Sequence, residues 1–131
     1  MIKVFIPSDI EFFIYKNQLK TLYENSQDKI TDKSSFEDIC KKTFFYCFVE
    51  NKENSKPYLL GGIYYFKVGE KLFINGFATK KHHKQNLECL KCSLSWFDCD
   101  IYAEAQNRAS AICLLKCGFE RLGGKEFVYR Q

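Results

Sequence analysis

The segment formed by residues 101–119 constrains the fold of this 131-residue chain more strongly than any other. Residues 101–105 have the pattern of a short strand, and Asn107, a favourable N-cap residue, opens a helix predicted over residues 107–117. Gly118 can adopt the left-handed conformation that ends a helix, after which Phe119 packs back against it. Because a strand, a helix and a further strand in this order require parallel or crossover pairing, the segment predicts a mixed α/β fold.

Two helix-start signals lie in the N-terminal third of the chain. A strand is predicted over residues 2–6, and Ser8 with Glu11 has the pattern of a capping box that opens a helix ending near residue 25. The same pattern at Ser34 and Glu37 opens a second, short helix. The polar residues between these two helices are predicted to form a loop.

Three strands rich in aromatic and β-branched residues follow. They are predicted over residues 43–50, 58–68 and 72–79, with turn regions at residues 51–57 and 69–71. Asn75-Gly76 in the third of them is either a two-residue hairpin turn or a β-bulge. We favour the bulge, because a turn would leave strands that are too short on either side.

The remaining elements surround the segment at residues 101–119. Residues 80–86 form a basic loop, residues 87–97 a helix, and residues 120–130 one or two closing strands. The predicted order is β-α-α-β-β-β-α-β-α-β. We therefore predict a single α/β domain over residues 1–131, with a mixed, partly antiparallel sheet and helices on both faces.

Composition and charge exclude several other classes of protein. No apolar run is long enough to span a membrane, and the first residues lack the pattern of a signal peptide. Seven cysteines without a secretion signal predict reduced thiols in the cytoplasm. A net charge of +4 is mild, so charge alone does not indicate a nucleic-acid partner.

The spacing from Asn107 to Gly118-Phe119, together with the order of elements, resembles the Gcn5-related N-acetyltransferases, the GNAT superfamily. The order of elements covers nearly the whole chain, and the likeness in sequence covers its last third. The resemblance implies acetyl-coenzyme A as cofactor and an amine, on a small molecule or a protein, as acceptor. It also implies a sheet that splays between its fourth and fifth strands, with the pantetheine arm of the cofactor in the gap.

The resemblance assigns the cofactor contacts to three places. Strand backbone in the gap would pair with the pantetheine and polarise the thioester carbonyl, the start of the following helix would hold the diphosphate, and the cap of the last helix would touch the cofactor arm. In that order, the implied cofactor-binding residues are Phe77, Ala78, Thr79, Lys84, Gln85, Asn86, Leu87 and Asn107.

Two departures from the superfamily's pattern concern its chemistry. The stretch from Thr79 to Leu87 contains no glycine, although the usual loop is glycine-rich so that its backbone can approach the diphosphate. Its lysines and histidines are either an electrostatic phosphate site or a solvated basic loop. Leu114 stands where many members have a tyrosine as general acid, and leucine cannot donate a proton. Cys113 and Cys117 flank it and are expected to be inert thiols.

Tyr102 and Glu104 are the candidate catalytic residues. They lie two apart in the strand predicted over residues 101–105, so their side chains share one face. A phenol and a carboxylate can each assist proton transfer if that face is open. Both are inferred from the residues themselves and not from a motif of the superfamily.

The helix predicted over residues 87–97 carries two further patterns. Cys89 and Cys92, with the preceding histidine pair, have the ligand types of a zinc site. The cysteines lie inside a helix, however, and a second ligand pair is lacking, so we expect no metal. Cys89, Cys92 and Trp96 also form a stripe, which is either covered by another element or exposed as the interface of a homodimer.

Three functions stay open from the sequence. The first is an acetyl-coenzyme A-dependent N-acetyltransferase. The second is a structural or interaction protein that keeps the GNAT fold without cofactor binding, similar to small phage-encoded relatives such as internal virion proteins of short-tailed phages. The third, a nucleic-acid binder, has least support, because one short basic loop and a charge of +4 offer few phosphate contacts. Full pairing of the fourth and fifth strands would exclude the first.

Overall fold

The chain folds in the predicted order of elements, with one additional strand at its C-terminal end. The computed structural model describes residues 2–26, 33–42, 45–53, 56–78 and 83–131. The elements are β1 (Ile2–Phe5), α1 (Asp9–Asn25), α2 (Phe36–Lys42), β2 (Phe45–Glu53), β3 (Lys56–Val68), β4 (Lys71–Ala78), α3 (His83–Leu94), β5 (Ile101–Glu104), α4 (Arg108–Lys116), β6 (Glu120–Gly123) and β7 (Glu126–Tyr129).

The strands form one seven-stranded sheet in the order β1-β2-β3-β4-β5-β7-β6. β4 and β5 are parallel, and every other neighbouring pair in the sheet is antiparallel. The predicted mixed, partly antiparallel sheet is therefore confirmed. The parallel pair joins the meander β1–β4 to the C-terminal strands, and α3 provides the crossover that parallel pairing requires.

Helices cover both faces of the sheet, as predicted. On one face, called here the α1 face, Leu19 and Tyr23 of α1 and Phe36 of α2 pack with Tyr64 and Phe77 of the sheet. On the other, the α3 face, the buried cluster takes in alternate residues of the same strands and residues of α3 and α4. Members of this second cluster include Ile63, Tyr65, Leu72, Ile74, Cys89, Leu94, Leu114 and Phe127.

The helix ends follow local rules that the sequence displays. Ser8 and Glu11 form the predicted capping box, in which the Ser8 hydroxyl accepts from the Glu11 N–H at 3.2 Å. Gly118 has a φ of +96°, and the Phe119 N–H donates to the Leu114 carbonyl at 3.0 Å. This is the Schellman arrangement, so the predicted stop at Gly118-Phe119 is confirmed.

The predicted capping role of Ser34 is wrong. The hydroxyl of Ser35, one residue later, accepts from the Asp38 N–H at 3.1 Å at the start of α2. Ser34 instead offers its carbonyl to the hydroxyl of the buried Tyr23. The cap of α2 therefore lies one residue later than predicted.

The bulge predicted at Asn75-Gly76 is also wrong. β3 and β4 pair in unbroken register through these residues, because β3 supplies an opposite residue at each position. The register shift lies instead in the β2–β3 pair between Val49 and Glu50, where Leu60 is the extra residue of β3. The predicted turn region at residues 51–57 is shorter than expected, since β2 extends to Glu53 and β3 begins at Lys56.

α3 begins at His83, so the predicted helix start at residue 87 is wrong by about one turn. Lysine and glutamine are good helix formers, and no glycine or proline interrupts this stretch. One apolar side of α3 packs on the sheet, with Leu94 buried and Leu87 and Leu90 partly buried. The stripe of Cys89, Cys92 and Trp96 is covered only in part, because Cys89 is 1% exposed and Trp96 packs against the same cluster, whereas Cys92 is exposed. The homodimer interface expected at that stripe stays a prediction.

Two glycines of β3 let β4 and α1 approach closely. A Cβ on Gly61 would lie 2.8 Å from the Cα of Ala78, and a Cβ on Gly62 would lie 2.7 Å from the Phe77 ring. At Gly61 the obstacle is backbone, which cannot rotate away. Glycine at this position is thus a condition for the β3–β4 pairing itself.

We expect Gly61→Ala to lower the free energy of unfolding by about 1–3 kcal/mol, because the methyl group overpacks β4. Urea unfolding followed by circular dichroism measures this change. Gly76→Ala is the matched control: its Cβ meets nothing closer than the Gly62 carbonyl oxygen at 3.7 Å, so the change should stay within about 0.5 kcal/mol. Equal unfolding midpoints for the two variants would contradict this packing.

Candidate functional site

A gap opens between β4 and β5. The two parallel strands pair only at Leu72 with Ile101 and at Phe73 with Tyr102 among the described residues. Beyond Phe73, β4 continues to Ala78 and is paired there on its other side with β3, while β5 is paired on its other side with β7. The predicted splay of the sheet is therefore present. Alternate N–H and C=O groups of residues 74–78 face this gap.

The β4 wall of the gap differs on its two faces. On the α1 face, Phe77 is buried, and the Asn75 amide donates to the Tyr64 hydroxyl at 3.0 Å. On the α3 face, Gly76 is exposed and Ala78 is half-buried. Packing does not require a glycine at 76, since a Cβ there would make only ordinary contacts. Small residues thus leave the edge of β4 accessible from the α3 face.

Tyr102 and Glu104 lie on the α1 face of β5, as their spacing predicts. Tyr102 is half-buried at the closed end of the gap, with its ring 5.8 Å from the ring of Phe73. Glu104 is exposed, two residues further toward the open end. The structure therefore puts a phenol and a carboxylate side by side on one strand at the gap.

Two charged residues that sequence reasoning missed complete this surface. The Lys71 ammonium lies 4.7 Å from the centre of the Tyr102 ring and 3.0 Å from a carboxylate oxygen of Glu126. Glu126 is directly opposite Glu104 in the β5–β7 register. The hydrogen bond to Glu126, with its Coulomb attraction, raises the pKa of Lys71 above its ordinary value against a smaller opposing effect of burial. The lysine partly offsets the charge of two adjacent carboxylates.

The start of α3 supplies the groups expected to face a diphosphate. Lys84 is exposed in the first turn, which contains no acidic residue, and the Gln85 and Asn86 side chains are half-buried. Leu87 packs against the core, so its side chain is turned away from solvent. Thr79 and the three basic residues that follow it, 80–82, lie outside the described residues. The helix dipole and the positive charge of Lys84 both make the N-terminus of α3 a favourable site for an anion.

Asn107 and Leu114 have structural roles in α4. The Asn107 side chain accepts from the Ser110 N–H at 2.9 Å, which makes it the N-cap. It is exposed, so capping leaves part of the side chain accessible. Leu114 is 8% exposed and belongs to the core cluster on the α3 face. The position of the superfamily's usual tyrosine therefore carries an apolar core residue.

The cysteines near these elements are poor nucleophiles. Cys117 is buried, and burial is the main cause that raises the pKa of its thiol to about 11. Burial likewise raises the pKa of Cys89 to about 12. Both thiols are protonated at neutral pH, whereas reactivity needs the thiolate. Among the described residues, no group of three or more His, Cys, Asp or Glu side chains is placed to hold a metal ion.

We expect iodoacetamide at pH 8 to modify the exposed Cys92 and Cys99 in the folded protein and to leave Cys89 and Cys117 unmodified. Peptide mass spectrometry after timed quenching measures each site. Above pH 9 the unfolded chain loses thiol protons that the folded chain retains, so unfolding and modification of the buried pair should both increase. Modification of Cys117 as fast as Cys99 at pH 8 would refute the burial argument.

Solved structures resemble this arrangement over the full length of the chain. A domain from Methanocaldococcus jannaschii aligns with a TM-score of 0.63 at 12% identity, over 100% of this chain and 97% of that one. The ribosomal-protein-S18-alanine N-acetyltransferase from Escherichia coli aligns with a TM-score of 0.59 at 12% identity, over 98% of this chain and 90% of that one. The fold is GNAT-like.

The sequence comparisons give no further assignment, since neither a protein-family model nor a curated protein matches the chain. Within the described residues, no helix has the length and apolar character needed to cross a membrane.

Proposed function

We propose that the chain is an acetyl-coenzyme A-dependent N-acetyltransferase that acts on an amine, and that residues 1–131 form one GNAT-like acyltransferase domain. The observation that carries the proposal is the limited pairing of β4 with β5, at two residue pairs near their starts. A sheet gains hydrogen bonds by pairing fully, so an edge left open beside small residues favours a ligand that completes it. We place the reaction in the reducing cytoplasm, where free thiols persist.

The residues around the gap fit the two parts of the cofactor. The open edge of β4 at Phe77 and Ala78 offers backbone groups to an amide-bearing arm, and Thr79, which lies outside the described residues, is proposed as a further contact. The first turn of α3 offers Lys84 and the N–H groups of Gln85, Asn86 and Leu87 to a diphosphate, with no acidic residue opposing it. Asn107, exposed at the cap of α4, is a further polar contact. Bound acetyl-coenzyme A would supply an acetyl thioester that amines can attack.

The catalytic roles follow from protonation state and exposure. An amine attacks only when it is unprotonated, and the exposed Glu104 carboxylate accepts its proton directly or through one water. The Tyr102 hydroxyl, a proton donor on the same face, serves the leaving sulfur in place of the tyrosine that Leu114 replaces. N–H groups at the β4 edge stabilise negative charge on the reacting carbonyl oxygen.

A second function has one observation in its favour. Leu114 is built into the core, and the stretch before α3 lacks glycine, so two usual parts of the superfamily's site are missing together. A GNAT-fold structural or interaction protein, possible for a phage-encoded relative, would need neither part. Cofactor binding separates the two functions, because only the enzyme retains it.

We expect acetyl-coenzyme A to raise the melting temperature of the protein. A ligand at about 100 times its dissociation constant stabilises the folded state by about 2.7 kcal/mol. Thermal-shift titration to millimolar cofactor measures this, and isothermal titration calorimetry gives the affinity. The absence of any shift would reject the enzyme and leave the interaction protein.

Lys84→Ala should weaken cofactor binding about 5- to 30-fold, because it removes a charge-assisted contact with the diphosphate. Lys91→Ala is the matched control: Lys91 is exposed in the last turn of the same helix, so affinity should change less than twofold. Equal affinities for Lys84→Ala and the unaltered protein would refute the electrostatic part of the site.

Glu104→Gln should lower kcat/KM about 100-fold or more at neutral pH, since an amide cannot accept the amine proton. Release of free thiol from acetyl-coenzyme A, measured across a panel of amines, reports the rate. The loss should shrink as pH rises and the amine deprotonates by itself. Glu24→Gln, at an exposed site on α1, should leave the rate unchanged, and an equal loss there would contradict a specific role for Glu104.

A further inference from the structure

The N-terminal half of α1 presents an apolar surface that the rest of the described chain does not cover. Ile10 is 74% exposed, Phe13 81% and Ile14 61%, and the preceding Ile6 is 52% exposed. Residues three and four apart share one helix face, so these side chains form a continuous patch, called here the α1 patch. α1 joins the core through its opposite side, where Leu19 and Tyr23 are buried and Phe12, Tyr15 and Leu22 are partly buried.

Two opposite charges border the α1 patch on one side. At about 100° per residue, Asp9 and Lys16 lie roughly 40° and 60° around the helix from Phe13, on the side away from Ile10. Asp9 is four residues before Phe13 and Lys16 three after it. Both are exposed, and neither forms an ion pair within the described residues. Lys16 contributes only a minor lowering of the pKa of Glu37.

We propose that the α1 patch binds the α1 patch of a second copy of this chain, with the two α1 helices antiparallel and crossing at Phe13. In a two-fold interface, a residue of one copy that contacts a second residue in the other copy is matched by the same contact in reverse. The surface must therefore be self-complementary. Asp9 and Lys16 satisfy this condition about Phe13: Asp9 of each copy faces Lys16 of the other, which gives two ion pairs at the border of an apolar centre. This inference is independent of cofactor binding.

The acidic first turn of α1 argues against an anionic lipid surface as the occupant. Helices that lie on membranes carry lysine and arginine beside their apolar face. Here the first turn of α1 carries Asp9 and Glu11, which anionic headgroups would repel. A standard interface buries about 800 Å² on each partner, so the α1 patch is the centre of the proposed contact and neighbouring polar residues form its rim.

Sedimentation velocity over a range of protein concentrations tests the proposal with the full chain. The expected result is a monomer–dimer equilibrium whose dissociation constant rises at least 30-fold in Phe13→Ser, the size of a hot-spot loss. Phe13 is on the surface, so this variant should keep its melting temperature. Leu115→Ser, which removes an exposed apolar residue of α4, is the matched control and should leave the dimer intact.

A charge exchange tests the antiparallel orientation. Asp9→Lys and Lys16→Asp alone should each weaken the dimer about 3- to 10-fold, and the double variant should return within about threefold of the original affinity. A chain that stays monomeric at several hundred micromolar, or a dimer that Phe13→Ser does not weaken, overturns the proposal. A double variant no stronger than the single ones overturns the orientation.

Discussion

The short parallel contact between β4 and β5 is the constraint on which the rest of the structure depends. It joins the antiparallel meander to the C-terminal strands through two residue pairs, and the strands separate beyond it. Parallel pairing requires a crossover, which places α3 on one face, and four residues separate Ala78 at the end of β4 from His83 at the start of α3. One topological feature therefore brings together an unpaired strand edge, a helix N-terminus and the α1 face of β5.

Elements specified by neighbouring residues were predictable, and those specified by distant ones were not. The Ser8–Glu11 capping box and the end of α4 at Gly118 depend on residues within one turn, so the sequence displays them directly. The register of Asn75 and Gly76 depends on β3, so pairing between separated segments overrode the local pattern there. The cap of α2 lies at Ser35, one residue beyond the predicted Ser34.

The candidate site likewise contains features that could be predicted from the sequence and features that could not. The strand gap was implied by the resemblance to the superfamily, and the shared face of Tyr102 and Glu104 follows from strand alternation. Lys71 and Glu126 are 55 residues apart, and the β4–β5 and β5–β7 registers bring them together beside Tyr102 and Glu104. Leu114 is a core side chain at the position where many superfamily members have a proton donor. In the proposed enzyme the general acid is therefore Tyr102 of β5 and not a residue of α4. The fold is independent of this change, because Leu114 contributes to packing where it stands.

Amide hydrogen exchange of β4, with and without acetyl-coenzyme A, tests most directly whether the gap is a cofactor site. In the free protein, amides of residues 74–78 that face the gap should exchange faster than the amides of β4 that pair with β3. Saturating acetyl-coenzyme A should slow them at least tenfold and leave β6 and β7 unchanged. Binding that leaves the exchange of residues 74–78 unaltered, or no binding at all, would contradict the account.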